Sequence, residues 1–163
     1  MTDDALQHFH LDGIADYNAA LDTLCGLAKR NLSLFEQDFD GLGFNSEARY
    51  ETLRYFLLAG SANRLFMLVH DAHYLATLCP RITMLLRQFD DRMYIHQTAP
   101  SLLHITAPFC IADQRHYIRR FHFDDPRGLF AKNDPENARA LESNYLEMWK
   151  KSHCAVSTTT LGL

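Results

Sequence analysis

Between Ile14 and Arg30 the apolar positions are Ile14, Tyr17, Leu21, Leu24, Cys25 and Ala28. Their three-and-four spacing predicts an amphipathic helix ending near Asn31. The run LSLFEQDF, Leu32 to Phe39, alternates at Leu32, Leu34 and less cleanly Phe35, and predicts a strand. Turn residues follow in DGLGFNS. Ser46 then caps a second helix, with Tyr50, Leu53, Phe56, Leu57 and Ala59 on one broad face. Its capping box is incomplete, because Arg49 stands where Glu or Gln would. Gly60 suits that helix's C-terminus. RLFMLVHD, Arg64 to Asp71, is a continuous apolar run of strand length, the pattern of a strand buried on both faces. AHYLATLC and RITMLLRQF predict two short helices separated by Pro80, and DRMYIHQ a further strand. Asp134-Pro135 opens a last helix, Asp as N-cap and Pro at the first helical position. Ala138, Leu141, Tyr145, Met148 and Trp149 form its buried face.

Strands alternating with helices predict a three-layer α/β/α fold with a mainly parallel mixed sheet. The segment TAPFCIADQRHYIRRFHFDDPRG, Thr106 to Gly128, adds an antiparallel hairpin and then a break. Residues 1–13 read as a flexible arm, 14–152 as a single α/β domain and 153–163 as a tail. The 163-residue length suits one domain, and its core needs no staples. The net charge of −4 argues against a nucleic-acid partner, since such binders carry a basic excess. No apolar run reaches the roughly 18 residues of a membrane span. MTDDALQHFHLDG has neither the basic nor the apolar region of a signal peptide. The four cysteines form no CxxC pair, and a reduced, cytoplasmic setting is expected.

Little in the chain marks chemistry. There is no GxxxxGK[ST], GxGxxG or GxSxG. His70-Asp71-Ala72-His73 follows a buried strand, where ligands gather in open α/β sheets. It lacks a third metal ligand nearby, and Asp71 is better read as the cap of the next helix. No metal or cofactor is expected. In HYIRRFHFDDPR, the period of two puts His116, Ile118, Arg120, His122 and Asp124 on one strand face. Arg120 and His122, with Arg127 nearby, are candidates for holding a small anion. The alternative is a solvated hairpin whose arginines pair with Asp124 and Asp125.

The order of elements, the hairpin PFCIADQRHYIRRF with Asp113 at its turn, and the ending YLEMWKKS resemble a half-domain of the phospholipase D-like superfamily. The resemblance covers most of residues 14–152. It implies that family's fold, and pairing of this single half-domain into a homodimer. The family's hairpin bears HxKxxxxD followed by a GSxN-like segment. With Asp113 as the motif aspartate, the histidine position falls on Thr106 and the lysine position on Pro108. The Gly, Ser and Asn positions fall on Arg120, Phe121 and Phe123. The resemblance therefore implies a degenerate site: no histidine nucleophile, no phosphate-holding lysine or asparagine, and phenylalanines filling the space. A non-catalytic domain that binds a small anionic ligand or a protein partner is expected. The alternatives are a phosphodiesterase using a relocated His104 or His116, and an unrelated doubly wound sensor domain.

Overall fold

The computed structural model describes residues 5–157. Its strands are β1 (Gln7–Leu11), β2 (Asn31–Glu36), β3 (Arg64–Val69), β4 (Met93–Thr98), β5 (Phe109–Ala112), β6 (His116–His122), β7 (Asp125–Lys132) and β8 (Ser152–Val156). Its helices are α1 (Ile14–Leu27), α2 (Glu47–Leu58), α3 (His73–Thr77), α4 (Pro80–Gln88) and α5 (Pro135–Lys150). The strands form one sheet in the order β1-β7-β6-β5-β2-β3-β4-β8. β2, β3 and β4 are parallel, and every other pairing is antiparallel.

The mixed sheet and its flanking helices match the expected architecture. The parallel part is narrower than the pattern implied, because three strands were not anticipated. β1 lies within the expected arm and pairs with β7. Four of its five residues are exposed, so no alternation marks it. β7 contains Pro126 and Gly128, which read as a break. Gly128 is required there, since a Cβ would sit 2.1 Å from the Arg119 carbonyl oxygen. β8 lies mostly in the expected tail and pairs with β4 as an edge strand. The rest of the expected arm and tail, residues 1–4 and 158–163, lies outside the described residues.

The local signals explain the helices. Ser46 Oγ accepts from the Arg49 N–H at 3.1 Å. Pro80 starts α4 rather than merely separating it from α3. Asp134 accepts from the Asn137 N–H, and Pro135 opens α5. One face of the sheet buries Leu32, Leu34, Met67 and Ile95 against α1 to α4. The other buries Phe35, Leu68, Ile111 and Tyr117 against α5. Burying each of these side chains contributes roughly 1.5–3 kcal/mol. β2 is covered on both sides, so a charged residue at its end must find a partner inside the protein.

Candidate functional site

The three parallel strands end together at Glu36, Val69 and Thr98. This end is where open α/β sheets take ligands. His70 follows β3 directly at this end, called the crevice after the general place of ligands in such sheets. Its Nδ1 lies 2.6 Å from Thr98 Oγ1, and its Nε2 lies 2.6 Å from the Ile105 carbonyl oxygen. A carbonyl oxygen only accepts, so Nε2 carries the proton and donates. In the neutral ring, Nδ1 then accepts from the Thr98 hydroxyl. Phe35 and Phe123 meet the imidazole edge-on, with ring centroids at 5.2 and 5.5 Å. Both ring nitrogens are committed, and two aromatic rings pack against the imidazole.

The motif positions lie around the same end. The Thr106 carbonyl accepts from the Phe123 N–H at 2.8 Å, and the buried Pro108 carbonyl from the Arg120 N–H at 3.1 Å. Phe123 packs on Phe35 and His70 and fills the space beside them. Phe121 does not: it is 66% exposed, with the Arg127 guanidinium over its ring at 5.8 Å. The pairing of β6 with β7 shifts register between Arg120 and His122, and Phe121 sits at that irregularity.

Asp113 lies at the opposite end of the sheet, in the turn between β5 and β6. Asp113 and Gln114 both have positive φ, 58° and 53°, the type I′ geometry that joins twisted strands. The Asp113 carboxylate accepts from the backbone N–H groups of Lys29, Arg30 and Asn31 at 2.8–2.9 Å. It pins the loop between α1 and β2 to the hairpin. Hydrogen bonds to a charged acceptor contribute more than neutral ones. Asp113→Ala is expected to lower the unfolding free energy by about 2–3 kcal/mol, discounted for partial exposure. An unchanged urea midpoint would show that the clamp is dispensable.

The expected grouping of Arg120, His122 and Arg127 is not what the structure contains. Arg120 is buried, and its Nη2 donates to Glu36 Oε1 at 2.6 Å. Its guanidinium also lies over the Tyr17 ring, 4.4 Å from the centroid. The Tyr17 hydroxyl donates to the other Glu36 oxygen. Both sheet faces are covered by helices, so the face bearing Arg120 is core rather than surface. Burial pushes the Glu36 carboxyl up to about 7, against the pull of Arg120 and Tyr17. His122 is half-exposed beside Asp124, 3.7 Å away. Arg127 pairs with Asp125 at 2.8 Å, and that hydrogen bonding holds the Asp125 carboxyl down at about 2. The anticipated pairing of hairpin arginine with acid is therefore seen for Arg127.

The remaining histidines do not converge on the crevice. His104 is exposed in the segment leading to β5, and His116 is buried at the far end of the sheet. Asp71 Oδ1 accepts from the His73 N–H at 2.9 Å; contrary to expectation it is not the cap, since the helix begins at His73 with Ala72 at its N-cap and no side chain bonded there. Among the described residues no group of three or more His, Cys, Asp or Glu side chains could hold a metal. Sequence reasoning missed Tyr17, Glu36 and Thr98. Glu36 had a readable signal, since by the period of two it follows Leu32 and Leu34 on one strand face. Tyr17 and Thr98 had none, because each looks like an ordinary core or strand residue.

This arrangement of strands and helices defines a phospholipase D-like fold. Nuc from Salmonella typhimurium, a phospholipase D family member, superposes with a TM-score of 0.68 at 9% identity, covering 94% of this chain and 99% of Nuc. NucT from Helicobacter pylori gives 0.62 at 9% identity, covering 93% and 100%. TrmBL2, an archaeal chromatin protein with a novel mode of DNA binding, gives 0.69 at 10% identity, covering 91% of this chain and 54% of that one. The chain belongs to the family described as "Domain of unknown function (DUF7931)", whose model matches residues 14–160. No curated protein matches the sequence.

Proposed function

We propose that this chain is a non-catalytic phospholipase D-like domain, used for binding and assembly. The observation that carries this reading is the state of the crevice. His70 has both nitrogens hydrogen-bonded within the protein. Thr106 and Pro108 offer no imidazole and no cation at the two positions where the resembled family needs them. Covalent catalysis needs a free nucleophile with a base, and phosphoryl chemistry needs donors for the oxygens. Phe123 stands where a donor would be.

The purified protein is expected to show no hydrolysis of bis-p-nitrophenyl phosphate. Thr106→His with Pro108→Lys is expected to remain silent as well. Turnover above background that disappears in His70→Ala, His104→Ala or His116→Ala would overturn the non-catalytic reading. The resemblance also supports a homodimer. Leu103 and Phe121, 54% and 66% exposed, are apolar groups near the crevice end that a second copy would cover. Light scattering at micromolar concentration is expected to give twice the 18.8 kDa chain mass; a monomer would remove assembly from the reading. Among the described residues no helix is long and apolar enough to cross a membrane. All four cysteines are unpaired, which fits a reducing compartment and supports a cytoplasmic setting. The likeness to TrmBL2 raises DNA as a partner, but the net charge of −4 disfavours backbone contacts.

A further inference from the structure

α1 and α2 end beside one pocket, where β2 and β3 begin, and they end differently. The last carbonyls of α2 find donors inside the protein. Asn63 Nδ2 donates to the Phe56 carbonyl at 2.7 Å, and Arg92 Nη1 to the Leu57 carbonyl at 2.6 Å. In α1 the Ala28 N–H returns to the Leu24 carbonyl at 3.2 Å, and the pattern stops there. The next N–H groups, of Lys29, Arg30 and Asn31, are taken by the Asp113 carboxylate. Among the described residues, nothing outside the helix donates to the carbonyls of Cys25 and Gly26. No basic side chain stands in the last turn of α1. A helix end in this state carries partial negative charge and lacks donors.

The pocket beside it has a volume of about 640 Å³. Its floor is apolar: Cys25 and Phe56 are 1% and 2% exposed, with Ala28 and Ala59 beside them. Tyr55, 76% exposed, offers an aromatic ring at the rim. Gly26 keeps the pocket open, since no atom lies within 4 Å of where its Cβ would stand. Two charged residues line it, Lys29 just after α1 and Glu51 on α2. Glu51 lies 4.0 Å from Arg54 at the surface. Among the described residues the Lys29 ammonium enters no ion pair.

We infer that this pocket binds a small zwitterion with an apolar body, namely a free α-amino acid with an aromatic side chain. Its ammonium group donates to the Cys25 and Gly26 carbonyls with Glu51 nearby, its carboxylate pairs with Lys29, and its ring lies against Phe56, Ala59 and Tyr55. The uncapped helix end by itself favours a cation, and Lys29 by itself an anion. Lys29 directly follows that helix end in the chain, so a ligand bearing both charges on adjacent atoms satisfies the two together. The volume lies within the ~300–1,000 Å³ range of small-molecule sites. The inference rests on the reading above only in supplying its binding half. The pocket lies at the opposite end of the sheet from His70 and does not depend on the loss of catalysis.

The test is calorimetric titration of the full chain with free phenylalanine, and separately with phenethylamine and phenylpropionate, which keep one charge each. Phenylalanine is expected to bind saturably, about tenfold or more tighter than either analogue, with amide shifts at Gly26, Lys29 and Phe56 rather than around His70. Lys29→Gln should weaken phenylalanine and phenylpropionate by about tenfold and spare phenethylamine. Gly26→Phe fills the pocket from its open side and should abolish binding at an undiminished melting temperature. The control, Lys150→Gln, should bind as the unaltered chain does. Absence of phenylalanine binding at millimolar concentration, equal affinity for phenylpropionate, or full binding by Gly26→Phe would each overturn the site. A dimer that dissociates in Tyr55→Ser would assign this face to a second copy and overturn it as well. A negative titration with a silent phosphodiesterase assay would remove this site and leave the non-catalytic reading standing. Turnover mapped to the crevice with intact phenylalanine binding would do the reverse.

Discussion

Arg120→Met is expected to lower the unfolding free energy at pH 8 by about 3–5 kcal/mol, as when one member of a buried ion pair is removed. Arg120 and Glu36 have side chains only 5% and 3% exposed, with 2.6 Å between Nη2 and Oε1. Methionine fills much of the volume, so the loss is electrostatic rather than a cavity. It strands the Glu36 carboxylate with the Tyr17 hydroxyl as its remaining partner. The cost should shrink towards pH 5, because a stranded carboxyl can protonate. Urea midpoints at pH 5 and pH 8 would check this; a loss equal at both pH values would mean that Glu36 is not the affected group. Replacing the pair together, Glu36→Leu with Arg120→Met, is expected to be far milder, since apolar substitutes of similar volume often match a buried pair.

The same carboxyl makes the unaltered protein pH-sensitive. Burial raises the folded-state value to about 7 from an ordinary 4.5. The folded state thus holds this proton more tightly than the unfolded chain. The resulting stabilisation is full below pH 4.5 and is lost as the pH rises through 7. Glu36→Gln should flatten the pH profile in that window, and an unchanged profile would rule the group out as its source.

Tyr145→Ala should cost about 3–5 kcal/mol, the range for truncating a buried aromatic side chain. Tyr145 is 1% exposed on the buried face of α5. Its ring stacks with Trp149 at 5.9 Å and meets Phe109 edge-on at 6.2 Å. Its hydroxyl donates to the Leu34 carbonyl at 3.0 Å, tying the helix to the central strand. Truncation opens a cavity and removes that bond. Tyr145→Phe removes the bond alone and should cost about 1 kcal/mol. Similar thermal midpoints for the two variants would show that the ring is not what α5 contributes. Trp149 is only half-buried, so its truncation should matter less than the sequence periodicity implies.

Local physics made most of the frame legible in the chain. The spacing of Tyr17, Leu21, Leu24 and Cys25 marks α1, the apolar run at Arg64 marks β3, and Asp134-Pro135 marks the start of α5. Each signal lies within a few residues and reflects burial or backbone geometry that the segment carries by itself. Asp113 was legible as a turn residue, but its grip on three N–H groups more than eighty residues upstream was not. The edge strands β1 and β8 owe their pairing to neighbours rather than to their own pattern, since one face of an edge strand can remain wet.

The site followed the same division. Period-two alternation correctly set Arg120 and Phe121 on opposite faces of β6. It could not say which face was core, because helices cover both sides of the sheet. Only the tertiary structure decided that Arg120 meets Glu36, eighty-four residues away in sequence, rather than an anion in solvent. It likewise brought Lys29, Arg115 and Lys132 around one cavity, although they lie in three separate segments. A charge in a sequence has a sign but no neighbours. The sheet order supplies those neighbours, and with them the difference between a buried ion pair and a charge at the surface.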